Sequence, residues 1–369
     1  MKIAILGTRG IPARYGGFET CAEELAVRLI KRGHNVSVYC RSHFFGQKLK
    51  KYMGVELIFL PAIKIKFLET LSHTLFSIFH SLNKRFDVYL VFNYGNSPLL
   101  LFLLLAGKRV ILHTDGLEWK RSKWSWFGRL YYQFAEWLGT KLPIPLISDS
   151  REIERYYLEK YKRVTHWIPY GATPSQSENP ELLQRFGVRP RDYFLQVTRF
   201  EPENNPLLTV QAFEGLKINK KLVLVGGVTY KSSYSEKIKQ TTDPRIVLPG
   251  FIYEKGILRE LLTNCYSYIH GNEVGGTNPA LLEAMAAGCF IIARDVPFNR
   301  EVLKEAGIYF QKDVQDLREK MIWALENPDE IRKRGRAAQD IIRAKYTWEN
   351  IIDKYELLFK AVASGLIKK

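Results

Sequence analysis

The sequence predicts an α/β protein built from two doubly wound, Rossmann-like domains facing across a cleft. Three observations carry this expectation. Short β-branched or aliphatic runs alternate with stretches of helical periodicity along the chain. The alternation occurs twice, on either side of the Pro- and Gly-punctuated segment 167–174. Glycine-rich or polar loops follow several of the apolar runs, which is where doubly wound sheets place ligand groups. At 369 residues the chain is too long for one small core, and a hydrophobic content of 46% supplies material for two.

In chain order, residues 2–6, 36–40, 56–60, 87–92 and 109–112 read as strands of the first domain, with an amphipathic helix over 18–32. The second half repeats the pattern, with strands at 193–197, 221–225, 245–248, 266–270 and 289–293. Helices are expected at 205–215, 255–264, 279–287, 299–305 and 313–325, and a last helix over about 347–364 has no assigned packing partner. The expected domains are 1–170 and 171–345. The tail 346–369 either stays with the second domain or crosses back to the first. Residues 67–83 form a further helix with a broad apolar arc and basic flanks at Lys64, Lys66, Lys84 and Arg85. It is either an interfacial helix at a membrane surface or a core helix covering the sheet, and the sequence leaves both open.

Composition removes several function classes. Cys21, Cys40, Cys265 and Cys289 are scattered without a C-x-x-C pair, so neither zinc nor disulfides are implied. The start of the chain lacks the apolar run of a signal peptide, and the longest such run, 99–106, falls far short of the roughly 20 residues that span a bilayer. The expected setting is cytoplasmic or peripheral at the inner face of the cell membrane. The net charge of +17 is lopsided, with 26 Lys and Arg against 13 Asp and Glu in residues 1–170, and 29 against 25 in the remainder. A basic first half suits an anionic membrane or substrate; no nucleic-acid-binding signature accompanies it.

Six segments are candidates for chemistry. The stretch Gly275-Gly276-Thr277-Asn278-Pro279 opens into a helix carrying Glu283 and closing at Gly288. Pro suits the first helical turn, and free N–H groups at such a start favour a phosphate or a sugar hydroxyl. The bland alternative is an ordinary loop between helix and strand. Gly7 to Glu19 follows the first strand without G-x-G-x-x-G spacing or a later acidic partner, which argues against a nicotinamide dehydrogenase; Arg9 and Arg14 there could neutralise phosphate. His113, Asp115 and Glu118 cluster just past a buried strand, where polar groups are costly without a purpose. Arg199 ends the strand 193–197 in position to clamp a diphosphate. Gly227 permits close ligand approach, and Phe251 with Ile252 offers a base-binding edge. No Asp-x-Asp pair occurs, so neither a metal nor another cofactor is expected.

Taken together, Tyr15-Gly16-Gly17-Phe18-Glu19, the Arg199 loop, the 276–288 segment and the closing Tyr346-Thr347-Trp348-Glu349 resemble retaining GT-B glycosyltransferases of family four across nearly the whole chain. More narrowly, Gly10-Ile11-Pro12-Ala13, the run 115–121 and the run 275–279 resemble the bacterial rhamnosyltransferase branch. The resemblance implies that Gly16 and Gly17 approach the donor phosphates and that Arg199 stabilises the departing diphosphate. It implies that Gly276, Thr277 and Asn278 touch the sugar and β-phosphate, that Glu283 holds the ribose, and that His113 or Asp115 lines the reacting face. Arg14, Glu118, Lys120 and Arg121 would serve the acceptor.

Two departures stand out. Asn204 occupies the donor-side position where the wider family has a Lys, and Gly275 replaces a Glu that usually contacts a hexose hydroxyl; Glu273 lies two residues too early. The second departure fits a 6-deoxysugar. The leading expectation is transfer of L-rhamnose, with retention, from dTDP-L-rhamnose to a polyprenyl-diphosphate-linked saccharide at an anionic membrane. A UDP- or GDP-hexose transferase, a GT-B-like nucleotide-sugar epimerase and a non-enzymatic sugar-nucleotide sensor are the alternatives.

Overall fold

The computed structural model describes residues 1–13, 16–65, 68–121, 124–228, 230 and 232–367. The chain divides into two compact units, Met1–Tyr170 with Trp348–Lys369, and Gly171–Thr347. Each is an α/β layer structure around one sheet.

The first unit runs β1 (Lys2–Leu6), α1 (Gly17–Lys31), β2 (Asn35–Arg41), β3 (Lys51–Tyr52), β4 (Val55–Leu60), α2 (Leu68–Leu82), β5 (Val88–Phe92), α3 (Leu100–Leu105), β6 (Val110–His113), α4 (Trp126–Lys141), β7 (Leu146–Ser148), α5 (Arg151–Tyr161) and β8 (His166–Trp167). Its strand order is β3-β4-β2-β1-β5-β6-β7-β8. Only the β3–β4 hairpin is antiparallel. Ile3 of β1 pairs with Val36 on one side and Val88 on the other, so the strand order reverses direction at β1 and β5. Strands buried on both faces read as continuous apolar runs, as Ile3, Ala4, Ile5 and Leu6 do, each fully buried.

The second unit runs β9 (Tyr193–Arg199), α6 (Pro206–Glu214), β10 (Lys221–Gly227), α7 (Ser233–Lys239), β11 (Ile246–Gly250), α8 (Lys255–Asn264), β12 (Ser267–His270), α9 (Pro279–Ala286), β13 (Ile291–Arg294), α10 (Pro297–Leu303), β14 (Gly307–Phe310), α11 (Val314–Glu326) and α12 (Pro328–Ile341). Its six strands are all parallel in the order β11-β10-β9-β12-β13-β14, with the switch between β9 and β12. Phe194, Phe213, Leu224, Ile292, Phe310 and Met321 centre its core.

The chain ends in α13 (Trp348–Ala363), which packs on α1 of the first unit. The Arg32 guanidinium reaches Asp353 at 2.6 Å and Glu356 at 3.0 Å. The expected helix over 67–83 is α2, and it does cover the sheet, with an unexpected face. Ser72, His73, Thr74, Ser77, Ile78 and Ser81 are buried, while Leu68, Phe76 and Phe79 are exposed. Residues 66 and 67 lie outside the described residues.

Candidate functional site

In the second unit, the loops after β9 and β12 meet at the switch point, where ligands of open α/β sheets bind. They are sewn together from both sides. The Asn205 side-chain amide donates to Gly271 O (2.8 Å), and Glu273 N donates to Glu203 O (2.9 Å). Asn204 is buried; its Nδ2 donates to Arg199 O (3.0 Å), while its own carbonyl accepts from Gln196 Nε2 (3.1 Å). A Cβ on Gly271 would sit 2.3 Å from Asn204 O, so the seam demands glycine there. The amide of Asn204 thus builds the loop that carries Arg199.

Arg199 closes β9, half-buried, and forms no ion pair among the described residues. Beyond β12 the chain passes Gly275, at a φ of +139°, and Gly276 before entering α9. Asn278 caps that helix, its Oδ1 accepting from Ala280 N (3.0 Å), with Pro279 in the first turn. Thr277 is buried and Glu283 is exposed on α9. Glu273 is committed elsewhere. Arg294 Nε (3.0 Å) and Lys312 Nζ (2.8 Å) hold its carboxylate, and together with other hydrogen bonds they keep it below the usual range against the opposing effect of burial. Gly227 packs under the ring of Phe251, at 3.3 Å from a would-be Cβ, and Phe251 stacks on Tyr253 at 5.9 Å. Ile252 is half-buried beside it.

In the first unit, the switch point lies between β1 and β5, and the loop after β6 follows on the strand beyond β5. A Cβ on Gly7 would meet Phe92 O at 2.3 Å, and its φ is +87°. The loop that follows is tied to α1: Arg9 N donates to Glu19 Oε1 (2.9 Å) and Ala13 N to Glu23 Oε2 (2.5 Å). Gly16 is exposed and precedes the first residue of α1, Gly17. Arg14 and Tyr15 lie outside the described residues.

His113 ends β6, wholly buried. Its ring stacks on Phe92 (5.0 Å) and Tyr170 (6.0 Å) and takes the edge of Phe18 (5.5 Å). Neither ring nitrogen has a hydrogen-bond partner among the described residues, and burial lowers its pKa to about 3, so the imidazole is neutral. Asp115 follows in the left-handed region, at φ +71°, with Oδ1 accepting from Gly116 N (2.8 Å). Glu118 is buried and turned on its own loop, pairing with Arg121 Nε (2.6 Å) and accepting from Trp124 Nε1 (3.2 Å). Lys120 is exposed, 5.5 Å from the Trp119 ring centre.

Two features escaped the sequence reading. His270 ends β12 as His113 ends β6, buried, without a ring-nitrogen partner among the described residues, and lowered by burial to about 3. A histidine closing an apolar run just before a glycine was the available signal. Glu136, fully buried on α4, accepts from Trp119 Nε1 (3.2 Å), Tyr156 OH (2.6 Å) and Tyr161 OH (2.6 Å), anchoring the 115–121 loop from behind. Among the described residues no group of three or more His, Cys, Asp or Glu is placed to hold a metal ion.

Two sheets of this order, parallel but for the β3–β4 hairpin, define the class as the GT-B fold. Residues 181–341 match the family described as Glycosyl transferases group 1, and residues 101–173 match a Domain of unknown function (DUF1972). Among solved structures, the sucrose-phosphate synthase of Thermosynechococcus elongatus is 17% identical, with 99% of each chain covered and a TM-score of 0.84. Anabaena HepE, solved with UDP and glucose, is 16% identical over 98% of this chain and 100% of that one, with a TM-score of 0.79. The catalytic domain of starch synthase IV from Arabidopsis thaliana, bound to ADP and acarbose, is 13% identical over 98% and 99%, with a TM-score of 0.72. No curated protein sequence matches.

Proposed function

We propose that this protein transfers L-rhamnose, with retention and without a metal, from dTDP-L-rhamnose to a polyprenyl-diphosphate-linked saccharide for a bacterial surface polysaccharide, as a peripheral enzyme of the inner membrane face. The observation that carries the donor half is Arg199. A guanidinium with no ion pair among the described residues stands at the switch point of the second sheet, in a loop sewn to the one that opens α9. Arginine's fixed fork suits a diphosphate, and the start of α9 adds N–H groups and a favourable dipole. Arg199 and that helix start neutralise the leaving group, Glu283 holds the ribose, and Phe251 with Ile252 borders the base.

The 6-deoxysugar rests on what surrounds Gly275. No side chain projects from that position, and the nearby Glu273 carboxylate is locked by Arg294 and Lys312. A sugar lacking one hydroxyl matches a site that offers one carboxylate fewer. In the first unit, half-buried Asp115 lines the reacting face, and His113, enclosed by Phe92, Tyr170 and Phe18, backs its loop from within. A donor phosphate oxygen takes the proton of the attacking acceptor hydroxyl as the glycosidic bond breaks on the same face. Lys120 with Arg14 serves the anionic acceptor, while Glu118 and Arg121 shape the loop.

A UDP-hexose donor is the second reading, favoured by the UDP and glucose in the structure of HepE. Thermal unfolding with dTDP-rhamnose, UDP-glucose and GDP-mannose separates the two. A ligand at 100 times its dissociation constant adds about 2.7 kcal/mol. Stabilisation by a hexose nucleotide and none by dTDP-rhamnose overturns the rhamnosyl assignment.

A further inference from the structure

Two helices of the first unit are packed in an inverted sense, and a third, α3, is apolar on both its sides. On α4, the residues turned inward include Gly128, Tyr132, Ala135, Glu136, Gly139 and Thr140. The solvent side carries Trp126 (65% exposed), Phe127 (76%), Leu130, Phe134 (51%) and Trp137 (46%). The carboxylate is inside and four aromatic rings are outside. The same inversion holds on α2, whose Ser, Thr and His side chains face the sheet while Leu68, Phe76 and Phe79 face solvent. Short α3 exposes Leu101, Phe102 and Leu105, the last by 86%.

These surfaces are one face. The crossovers from β4 to β5, β6 and β7 all step the same way along the sheet, and right-handed connections therefore place α2, α3 and α4 on the same side. Phe79 of α2 meets Phe102 of α3 at 5.4 Å, and the turn Tyr94–Leu99 packs against both α2 and α4. An apolar face of this extent on a folded chain marks a binding surface.

Its charge says what it binds. Exposed Lys64 and Arg85 bracket α2, Arg109 follows α3, and Arg129 and Lys141 lie on α4. The three helices carry two carboxylates, Glu69, paired with Arg41 and His43, and buried Glu136. A second copy of the chain, related by a two-fold axis, would set cations against cations. Anionic headgroups meet them with opposite charge, and tryptophan with basic residues is the side-chain set of the membrane interface. No helix among the described residues is long and apolar enough to cross a bilayer, so this face lies in its plane.

We propose that the outer face of α2, α3 and α4 docks onto an anionic phospholipid bilayer, with Trp126, Phe127, Phe134 and Trp137 entering the headgroup region. This inference rests on the reading of a peripheral membrane enzyme and names its contact surface. The test is flotation of the full chain with phosphatidylglycerol or phosphatidylcholine vesicles. The wild type should float with the anionic vesicles and be released by salt. Trp126→Ser/Phe127→Ser/Phe134→Ser should lower partitioning at least tenfold with unchanged thermal unfolding, and Arg129→Glu/Lys141→Glu should do so through charge alone. A wild type that ignores anionic vesicles overturns the proposal, as do variants that float like the wild type or a solution dimer that the triple substitution splits. Rhamnosyl transfer to a short-chain, water-soluble acceptor is measured alongside and should survive the triple substitution. Its absence in the wild type counts against the donor assignment, whereas flotation reports the docking face by itself.

Discussion

His113 is buried without a hydrogen-bond partner for either ring nitrogen among the described residues, between Phe92 and Tyr170. Burial in that aromatic box disfavours the cation and lowers its pKa from 6.5 to about 3. The unfolded chain therefore binds this proton first. The stability due to keeping the ring neutral is complete above pH 6.5 and is lost as pH falls toward 3. Ring-nitrogen NMR should show His113 neutral throughout pH 5–8, and a titration near 6.5 would remove it from the box. Activity changes in that range then belong to other groups. Two substitutions separate chemistry from binding. Arg199→Lys should lower turnover by about two orders of magnitude, because a point charge replaces a fork aimed at developing charge. Asp115→Asn should lose turnover yet keep the thermal shift caused by donor. Unchanged turnover in either variant excludes that residue from the reacting centre.

Elements with strong periodicity were legible, and those that break the usual rules were not. The strands expected at 2–6 and 193–197 are β1 and β9, because runs buried on both faces leave no alternation to misread. Unforeseen β7 and β8 are too short, at 3 and 2 residues, to form a pattern. Helix α4 went unseen since its apolar residues lie on the solvent side, with Gly128 and Gly139 interrupting the inner one. Charged α12 buries little besides Ile331, Gly335 and Ala338. In the candidate site, the placement of Arg199 at a strand end and of Asn278 at a helix cap was readable from the sequence. The role of Asn204 was not, because its partner, the Arg199 carbonyl, is fixed only by the folded loop. The cap itself is testable. Asn278→Ala removes the acceptor for Ala280 N and should cost about 1 kcal/mol in thermal unfolding. Donor affinity should fall with it, since α9 is short and its first turn holds the amides assigned to the sugar. An unchanged donor affinity would place those amides outside the site.

At the scale of the whole molecule, the chain leaves the first unit at Tyr170, builds the second, and returns at Trp348 to finish the first with α13. The return is more than a tether. Ile351, Ile352, Tyr355, Leu358, Phe359 and Val362 are buried in it. Arg32, just past the end of α1, holds Glu349, Asp353 and Glu356, and Glu356 is lowered to about 2 chiefly by Lys360 and Arg32. Six apolar side chains at roughly 1.5–3 kcal/mol each come to about 9–18 kcal/mol, comparable with the roughly 5–15 kcal/mol that separates a folded domain from its unfolded chain. The exposed ion pairs add little to that, so burial decides the outcome. Removing residues 348–369 should therefore unfold the first unit while leaving the second, whose six strands and core lie wholly within Gly171–Thr347, to melt on its own. Differential scanning calorimetry of the truncated chain should show the second unit's transition alone, and limited proteolysis should degrade residues 1–170 first. Hydrogen exchange would show the same division, with protection lost in β1 and β5 and kept in β9 and β12. A truncated chain that retains protection across β1 and β5 would mean that the first sheet is stable without α13.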